Sequence, residues 1–143
     1  MEALPSTVDL AHSKAAMALN RAYAPYSGLH VACAIQFKGD EPPFIGVNVE
    51  NASYGATICA ERSAICSAIS QQGKKPIEFV VVISNFHGGP ITPCGMCLQV
   101  LKEFISEDTP VYLGDPKSIQ AKHLFKEFLP LAFSAEMLPD SAQ

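Results

Sequence analysis

The chain has no tryptophan and little positive charge, and both shortages limit what it can bind. Ten lysine and arginine residues stand against fourteen aspartate and glutamate residues, which gives a formal charge of −4. Like charges do not cluster into a run anywhere in the sequence. Proteins that bind a long nucleic acid use clustered cations along the phosphates, with aromatic side chains for base stacking. The composition therefore argues against a polynucleotide substrate.

Long hydrophobic runs are also missing. The longest wholly apolar stretches, such as residues 79–83, have the length of a β-strand, whereas about 20 residues are needed to span a bilayer. Residues 1–5 have neither the basic start nor the apolar core of a signal peptide. The five cysteines are an odd number, which argues against a complete set of disulfides and fits a reducing compartment. We expect a cytoplasmic protein without a membrane partner.

The length and composition favour one folded domain covering residues 1–143, with 48% hydrophobic residues. In the first predicted helix, Ser6 is the expected N-cap with Asp9 three residues on. The expected apolar face consists of Leu10, Ala11, Met17, Ala18 and Ala22. Periodicity and turn residues predict helices at about 6–22, 59–72, 95–106 and 118–128, and strands at about 30–37, 44–49, 78–84 and 110–113. This alternation predicts a layered α/β domain with a mixed sheet.

Three cysteines at short spacings form the pattern that points to chemistry. Cys59 opens one predicted helix, and Cys94 and Cys97 stand three residues apart at the start of another. The latter two side chains face the same way, and helix N-termini favour thiolates over thiols. Three protein ligands leave the fourth position of a tetrahedral zinc ion open, which is typical of a catalytic zinc.

Two charged residues follow the first of these cysteines. Glu61, two residues after Cys59, cannot easily bind the same metal but reaches what the metal holds, so it is the candidate proton shuttle, first a general base and then a general acid. Three thiolates leave zinc with a net negative charge, which weakens its activation of water, and Arg62 is the candidate cation that offsets this charge. Zinc nucleobase deaminases use this division of roles, with three cysteine ligands and a glutamate that does not bind the metal.

Two simpler interpretations of the cysteines are open at this point. The Cys-x-x-Cys pair alone could be a redox pair, and a fourth ligand would make a closed, structural zinc site. The candidates for that ligand are His87, His30, Cys33 and Cys66. Cys66 lies two turns beyond Cys59, roughly 10 Å along the helix axis, and Cys33 stands in an alternating strand, where a small core residue is expected.

The chain resembles the small cytidine deaminases, the homotetrameric class with three cysteine ligands. The resemblance runs from about residue 22 to residue 133. It is carried by APYS at 24–27, GVNVENASY at 46–54, CAERSA at 59–64, PCGMC at 93–97 with QVL at 99–101, and LP at 129–130 with Phe133. It implies a three-layer α/β/α sandwich and one zinc ion per chain, held by Cys59, Cys94 and Cys97. The implied reaction is the hydrolytic deamination of cytidine and 2'-deoxycytidine to the uridines with release of ammonia, as in pyrimidine salvage.

The resemblance also implies substrate-binding residues. Asn48 and Glu50 match the residues that bind the ribose hydroxyls, and an amide and a carboxylate two apart on one strand face suit a diol. Ala60 matches a position whose backbone contacts the base. Tyr54 and Phe133 resemble aromatics that complete a neighbouring subunit's site. Without the family, Asn48 and Glu50 would be interpreted as a solvated strand edge, and Phe133 as a C-terminal core anchor.

Three positions depart from the family pattern. Leu29 stands where a phenylalanine usually lines the nucleoside pocket, Ala32 replaces a common glycine, and Leu98 follows the last cysteine where an arginine is usual. Arg62 resembles a family arginine that hydrogen-bonds the thiolates. With leucine at position 98, Arg62 would offset their charge without a second cation at that position. Leu29 and Leu98 motivate one alternative, a deaminase for another aminopyrimidine nucleoside, such as a blasticidin-S-type antibiotic or an N4-substituted cytidine. A non-catalytic zinc-binding module is the other alternative.

Overall fold

The computed structural model describes residues 3–140, so residues 1–2 and 141–143 of the expected domain lie outside the described part. The helices and strands are α1 (Ser6–Ala18), β1 (Val31–Phe37), β2 (Phe44–Val47), α2 (Ala60–Gln72), β3 (Ile77–Ser84), α3 (Gly95–Lys102), β4 (Pro110–Gly114), β5 (Ile119–Leu124) and α4 (Phe125–Phe128). Short 3₁₀ turns cover Leu19–Arg21, Tyr54–Ala56 and Ala135–Met137. No helix among residues 3–140 is both long enough and apolar enough to cross a bilayer.

The five strands form one mixed sheet in the order β2-β1-β3-β4-β5. β1 and β2 form the antiparallel hairpin that the sequence predicts, with Ala34 opposite Ile45. β3 and β4 are parallel, with Val80 opposite Val111. The connection between them contains α3, which returns the chain to the end of the sheet where β3 begins. β3 also pairs with β1 in the antiparallel sense, which places it at the centre of the sheet.

Both faces of the sheet are covered, which confirms the three-layer α/β/α sandwich. Side chains alternate across a strand, so Cys33, Ile35 and Phe37 of β1 pack in the cluster that contains α2 and α3. The small Ala32 and Ala34 face the opposite way, in the cluster that contains α1. β3 is apolar toward both layers, as a strand buried on two faces requires.

The two helices on one face begin at cysteines. Cys59 is the N-cap of α2 and Cys94 the N-cap of α3, each with extended backbone. α2 ends at Gly73, whose φ of 72° belongs to the left-handed region that glycine adopts without a steric penalty. The predicted start and end of α2 are therefore confirmed to within one residue, and both helix N-termini lie on the same side of the sheet.

β2 and α2 approach each other closely at Gly46. A Cβ atom at this position would lie 2.2 Å from the backbone nitrogen of Ala64 and 2.6 Å from the carbonyl oxygen of Ala60. Only a residue without a side chain permits this packing. The contact fixes the first turns of α2 against the sheet.

The prediction for the first helix was wrong in three details. The α-helix ends at Ala18, and Pro5 rather than Ser6 is its N-cap residue, without a side-chain capping bond. Leu10 and Met17 are 50% and 73% exposed, so they do not belong to the buried face. That face consists of Val8, Ala11, Ala15 and Ala18, which confirms Ala11 and Ala18 and replaces the two larger residues.

The helix predicted at 118–128 was also wrong. Residues Ile119–Leu124 form β5, paired antiparallel with β4, and only Phe125–Phe128 are helical. Lys122 of this edge strand lies 5.8 Å from the ring centre of Tyr112 on β4. Residues with helical propensity thus form a strand because they pair with the edge of β4. This tertiary interaction outweighs their local propensity.

Candidate metal centre and active site

The structure brings the three predicted cysteines together. The sulfur atoms of Cys59, Cys94 and Cys97 all lie within 4.8 Å of one another. Cys59 and Cys94 are 3.9 Å apart and Cys94 and Cys97 are 3.5 Å apart, sulfur to sulfur. No disulfide joins them. Two cysteines come from α3 and its cap and one from the cap of α2, so the cluster forms where two helix N-termini meet.

Arg62 is the cation of this cluster. Its Nε donates a hydrogen bond to the Cys97 sulfur at 3.4 Å, and its Nη2 donates to the Cys59 sulfur at 3.3 Å. The same Nη2 reaches the Thr57 carbonyl at 3.4 Å, which orients the guanidinium. Leu98 is 5% exposed and packs in the core between α3 and the sheet. Arg62 therefore compensates the negative charge of the thiolates without help from position 98.

The thiols respond to this environment in opposite directions. The pKa of Cys59 falls to about 5, chiefly because of its hydrogen bond with Cys97, with further lowering by Arg62 and Cys94. The pKa of Cys97 rises, because its proton is held in the bond to Cys59 and because the side chain is buried. The hydrogen bonds to Cys59 and Cys97 also raise the pKa of Arg62. Of these two thiols, Cys59 is therefore the one that ionises first.

This donor set fits a zinc ion. A tetrahedral ion with Zn–S distances of about 2.3 Å separates its sulfur ligands by about 3.8 Å, close to the sulfur separations observed here. Zinc takes thiolates and displaces their protons, and the charge of Arg62 and the two helix N-termini favour the thiolates. Among residues 3–140, no fourth histidine, cysteine or carboxylate side chain joins the cluster.

The candidates for a closed site lie elsewhere in the molecule. His30 directs its Nδ1 to the Leu19 carbonyl at 3.2 Å. Cys33 is fully buried in the sheet, where burial and the nearby Glu61 charge raise the pKa of its thiol. Cys66 is exposed on α2. The described residues therefore provide three ligands, as expected for an open site.

Glu61 is buried beside the cluster. It lies in the first turn of α2 and is 4% exposed. Burial raises its pKa, and the Cys59 charge raises it further, while a hydrogen bond with Cys97 and the Arg62 charge oppose the rise. A carboxyl group whose pKa is raised toward neutrality both accepts and returns a proton readily. Its environment suits the role of proton shuttle.

Glu50 is held by a short segment near the start of β1. Its Oε1 accepts hydrogen bonds from the backbone N–H groups of Tyr26 and Ser27, at 3.0 and 3.1 Å. The Ser27 hydroxyl donates to Oε2. The Ser27 hydroxyl bond is the main reason that the pKa of Glu50 is lowered. Glu50 is accordingly a fixed, ionised acceptor and not a free side chain on a solvated edge.

Asn48 is buried and bridges two backbone groups. Its side chain is 7% exposed. Its Oδ1 accepts from the Val31 N–H at 2.8 Å, and its Nδ2 donates to the Leu29 carbonyl at 2.8 Å. An amide side chain has two donor hydrogens and two acceptor lone pairs, so one of each remains for a ligand. The interpretation of Asn48 as a solvated strand residue is therefore wrong.

A cavity of about 380 Å³ lies over Glu50, within the usual size range of small-molecule sites. Its lining residues are Tyr26, Ser27, Glu50, Asn51, Tyr54 and Thr57. Tyr54 is 76% exposed and meets Tyr26 edge to face, with ring centres 6.0 Å apart. Thr57 connects this cavity with the thiols through its contact with Arg62.

This cavity is not lined by four other predicted residues, namely Asn48, Ala60, Leu29 and Phe133. Ala60 is fully buried at the start of α2, between Cys59 and Glu61. Leu29 is half-buried and contributes its backbone to the Asn48 bridge. Phe133 is 54% exposed, does not line the cavity, and accepts a bond from Gln99 of α3 through its carbonyl at 3.0 Å. A core-anchor role for Phe133 is excluded by this exposure.

Sequence reasoning missed the groups that hold Glu50. Ser27 belongs to the APYS motif, and it is separated from Glu50 by 23 positions in the chain. Asn85 lies just beyond the predicted strand at 78–84, and its side chain contacts the same segment. The signal was weak, since a serine or asparagine near a turn is common for local reasons alone.

Comparisons with known proteins agree on one family. The family model described as "Cytidine and deoxycytidylate deaminase zinc-binding region" matches residues 6–113. A cytidine deaminase of Halalkalibacterium halodurans is 40% identical over 127 residues, covering 89% of this chain and 94% of that protein. The crystal structure of a cytidine deaminase from Burkholderia pseudomallei superposes with a TM-score of 0.78 at 37% identity, covering 88% of this chain and 98% of that chain. A blasticidin-S deaminase of Bacillus cereus is more distant, at 27% identity over 112 residues, with 73% of this chain and 77% of that protein covered.

Proposed function

Because the chain belongs to the cytidine and deoxycytidylate deaminase family, we propose that its cysteine cluster and Glu61 carry out the hydrolysis of cytidine to uridine and ammonia. The protein is a zinc-dependent hydrolase, a cytidine deaminase with one zinc ion per chain. The observation that carries the assignment of residues is the convergence of three thiols beside one buried carboxyl group. We propose that 2'-deoxycytidine is a second substrate and is deaminated in the same way.

Cys59, Cys94 and Cys97 are the proposed zinc ligands. Bound zinc supplies the Lewis acidity that makes water a nucleophile near neutral pH. Arg62 holds two of the sulfurs through hydrogen bonds and offsets their charge. Both helix N-termini add positive potential at the same point.

Glu61 is the proposed proton shuttle. In the reaction a water oxygen bonds to the carbon that carries the amino group, and the bond from that carbon to the amine breaks. Glu61 takes a proton from the water and passes it to the ring nitrogen. It then takes the remaining proton of the added hydroxyl, whose oxygen becomes the carbonyl of the product, and delivers it to the departing amine, which leaves as ammonia. Burial raises the pKa of this carboxyl, so the same group serves as base and acid.

The remaining predicted residues are proposed to bind the nucleoside. Glu50 and Asn48 accept and donate to the sugar hydroxyls, supported by the fixed orientation of the carboxylate and the spare donor and acceptor of the amide. From the family resemblance, we propose that the Ala60 backbone contacts the base and that Leu29 borders the bound nucleoside, although neither residue lines the cavity over Glu50. Removing Glu50's hydrogen bonds to a sugar would raise KM rather than lower kcat.

We propose a homotetramer in which Tyr54 and Phe133 contribute to a neighbouring subunit's site. Their exposures of 76% and 54% support this proposal, since large aromatic side chains at such exposure are typical of interfaces. Light scattering after size-exclusion chromatography tests the oligomeric state. We further propose a cytoplasmic protein of pyrimidine salvage, which fractionation and growth on cytidine as the pyrimidine source would test.

The deciding experiment measures ammonia release from cytidine together with zinc per chain. The expected result is turnover with one zinc ion, and turnover of blasticidin S or N4-substituted cytidines well below that of cytidine. Negligible cytidine turnover with fast analogue turnover would instead support the alternative substrates. Zinc without any turnover would identify a non-catalytic zinc-binding module, against which the presence of Glu61 argues.

A further inference from the structure

The segment that orients Glu50 has no regular structure of its own. Tyr26 and Ser27, whose N–H groups bind Glu50, lie in a turn between the first helical region and β1. The turn continues through Gly28, which has a φ of +71°. Such a segment does not hold a carboxylate in place unless other elements fix its backbone.

Two asparagine side chains fix it from two sides. Asn85 directly follows β3, and its Oδ1 accepts from the His30 N–H at 2.9 Å while its Nδ2 donates to the Gly28 carbonyl at 3.1 Å. The Asn85 N–H also donates to the His30 carbonyl at 3.1 Å. Asn48 binds the alternate backbone groups, the Leu29 carbonyl and the Val31 N–H. Successive residues of the segment are therefore held alternately by the two asparagines.

We propose that Asn85 is a positioning residue for the sugar of the substrate. It does not line the cavity over Glu50, so it acts through the segment from Gly28 to His30. The inference rests on the proposed role of Glu50 in binding the sugar hydroxyls. Asn85 directly follows Ser84, the last residue of the central strand β3, which is 1% exposed. Its side-chain hydrogen bonds therefore fix the turn that contains Ser27 to the rigid sheet.

The test compares Asn85→Ala with the wild-type enzyme. The variant keeps the backbone bond to His30 and loses both side-chain bonds. We expect KM for cytidine to rise about five- to tenfold, with kcat within about twofold and zinc content unchanged. Asn85→Asp keeps an acceptor for the His30 N–H and should show a smaller rise. Asn20→Ala, at an exposed asparagine outside the site, is the matched control and should leave both constants unchanged.

A second measurement does not depend on turnover. Hydrogen exchange of the Tyr26 and Ser27 amides should be faster in Asn85→Ala than in the wild type, while exchange in β3 stays the same. Uniformly faster exchange in all strands would show general destabilisation and overturn the proposal.

Glu50→Gln separates failure of the proposal from failure of its premise. If Glu50→Gln leaves KM unchanged, the sugar-binding role of Glu50 is wrong and this inference falls with it. If Glu50→Gln raises KM and Asn85→Ala does not, the inference alone is overturned. The expected result is that the Asn85→Ala effect largely disappears in the Glu50→Gln background and with 2',3'-dideoxycytidine, which lacks both ring hydroxyls that Glu50 would bind.

Discussion

The site has two ends that are held in different ways. The metal end, formed by Cys59, Cys94, Cys97, Glu61 and Arg62, stands on the first turns of two helices packed on the sheet. The proposed sugar-binding end, called the sugar end, is formed by Glu50 and the turn with Ser27, and it is held by hydrogen bonds between loop segments. Helix packing places atoms through many apolar contacts, whereas each exposed hydrogen bond contributes little by itself. Substitutions should therefore act sharply at the metal end and gradually at the sugar end.

The largest effect is expected from Cys94→Ala. Removing one of three thiols should abolish stoichiometric zinc binding and with it the turnover of cytidine, because the described residues offer no replacement ligand. Metal analysis and ammonia release measure this loss. Cys66→Ala removes an exposed thiol on α2 outside the cluster and should retain both zinc and activity. Full activity of Cys94→Ala would show that the metal end is placed elsewhere.

Glu61→Gln should separate metal binding from catalysis within the metal end. We expect zinc to stay near one per chain while kcat falls by about 10²–10⁴-fold, the usual contribution of a general acid–base group. The exposed Glu78→Gln serves as the control. Retained activity would reject the shuttle role of Glu61.

Arg62→Gln tests whether one cation supports the thiolates. The loss of both hydrogen bonds and the charge should raise the pKa of Cys59 in the metal-free protein from about 5. Zinc affinity or activity should fall by about 10–100-fold, as is usual for groups that orient metal ligands. Thiolate absorbance during a pH titration and competition with a chelator measure the two effects. Arg21→Gln, at an exposed arginine, should change neither.

Ser27→Ala should produce the smallest effect, at the sugar end. The Ser27 hydroxyl is the main cause of the lowered pKa of Glu50, so the variant should shift this pKa up toward its ordinary value of about 4.3. Because the folded-state pKa is lowered, the stability from this pairing is present above the ordinary value and lost as pH falls through the folded value. In Ser27→Ala the folded-state pKa lies closer to the ordinary value, so less stability is lost and the loss is complete at a higher pH. KM at pH 7 should rise only about two- to fivefold.

A pH series of KM and of the unfolding midpoint checks the Ser27 prediction. Ser70→Ala, at an exposed serine on α2, should superpose on the wild-type curves. If Ser27→Ala lowers kcat as strongly as Glu61→Gln does, the distinction between the two ends is wrong.

The same distinction explains what could be predicted from the sequence. Cys94 and Cys97 are three positions apart and Glu61 is two positions after Cys59, so helix geometry alone places each group relative to its neighbour. The convergence of Cys59 with Cys94, across 35 positions, was predicted from the chemistry of three thiols and one carboxylate, which the family resemblance then matched, because no local rule relates two helices separated by a strand. The metal end was thus predicted from short-range geometry and from the chemistry of its side chains.

The sugar end and the sheet edge depend on contacts that local patterns do not encode. Glu50 was predicted from the resemblance, but its donors on Ser27 and the support from Asn85 involve 23 and 55 positions of separation. β5 was mistaken for a helix because Gln120, Ala121 and Lys122 are compatible with one, and only the neighbouring strand β4 decides otherwise. Leu10 and Met17 were assigned to the buried face of α1 because they are apolar, whereas the structure leaves both exposed and buries Val8 and Ala15.

The contact at Gly46 connects the metal affinity of this protein to an edge strand of its sheet. A methyl group there would push the first turns of α2 away from the sheet, and the whole helix would shift as one unit. Cys59 would move with α2, away from the sulfurs of Cys94 and Cys97 at the start of α3. A Gly46→Ala variant, which changes no metal ligand, would therefore fold and accumulate but lack its bound zinc. Loss of activity in such a variant would be reversed by excess zinc, which distinguishes a weakened metal site from a damaged catalyst.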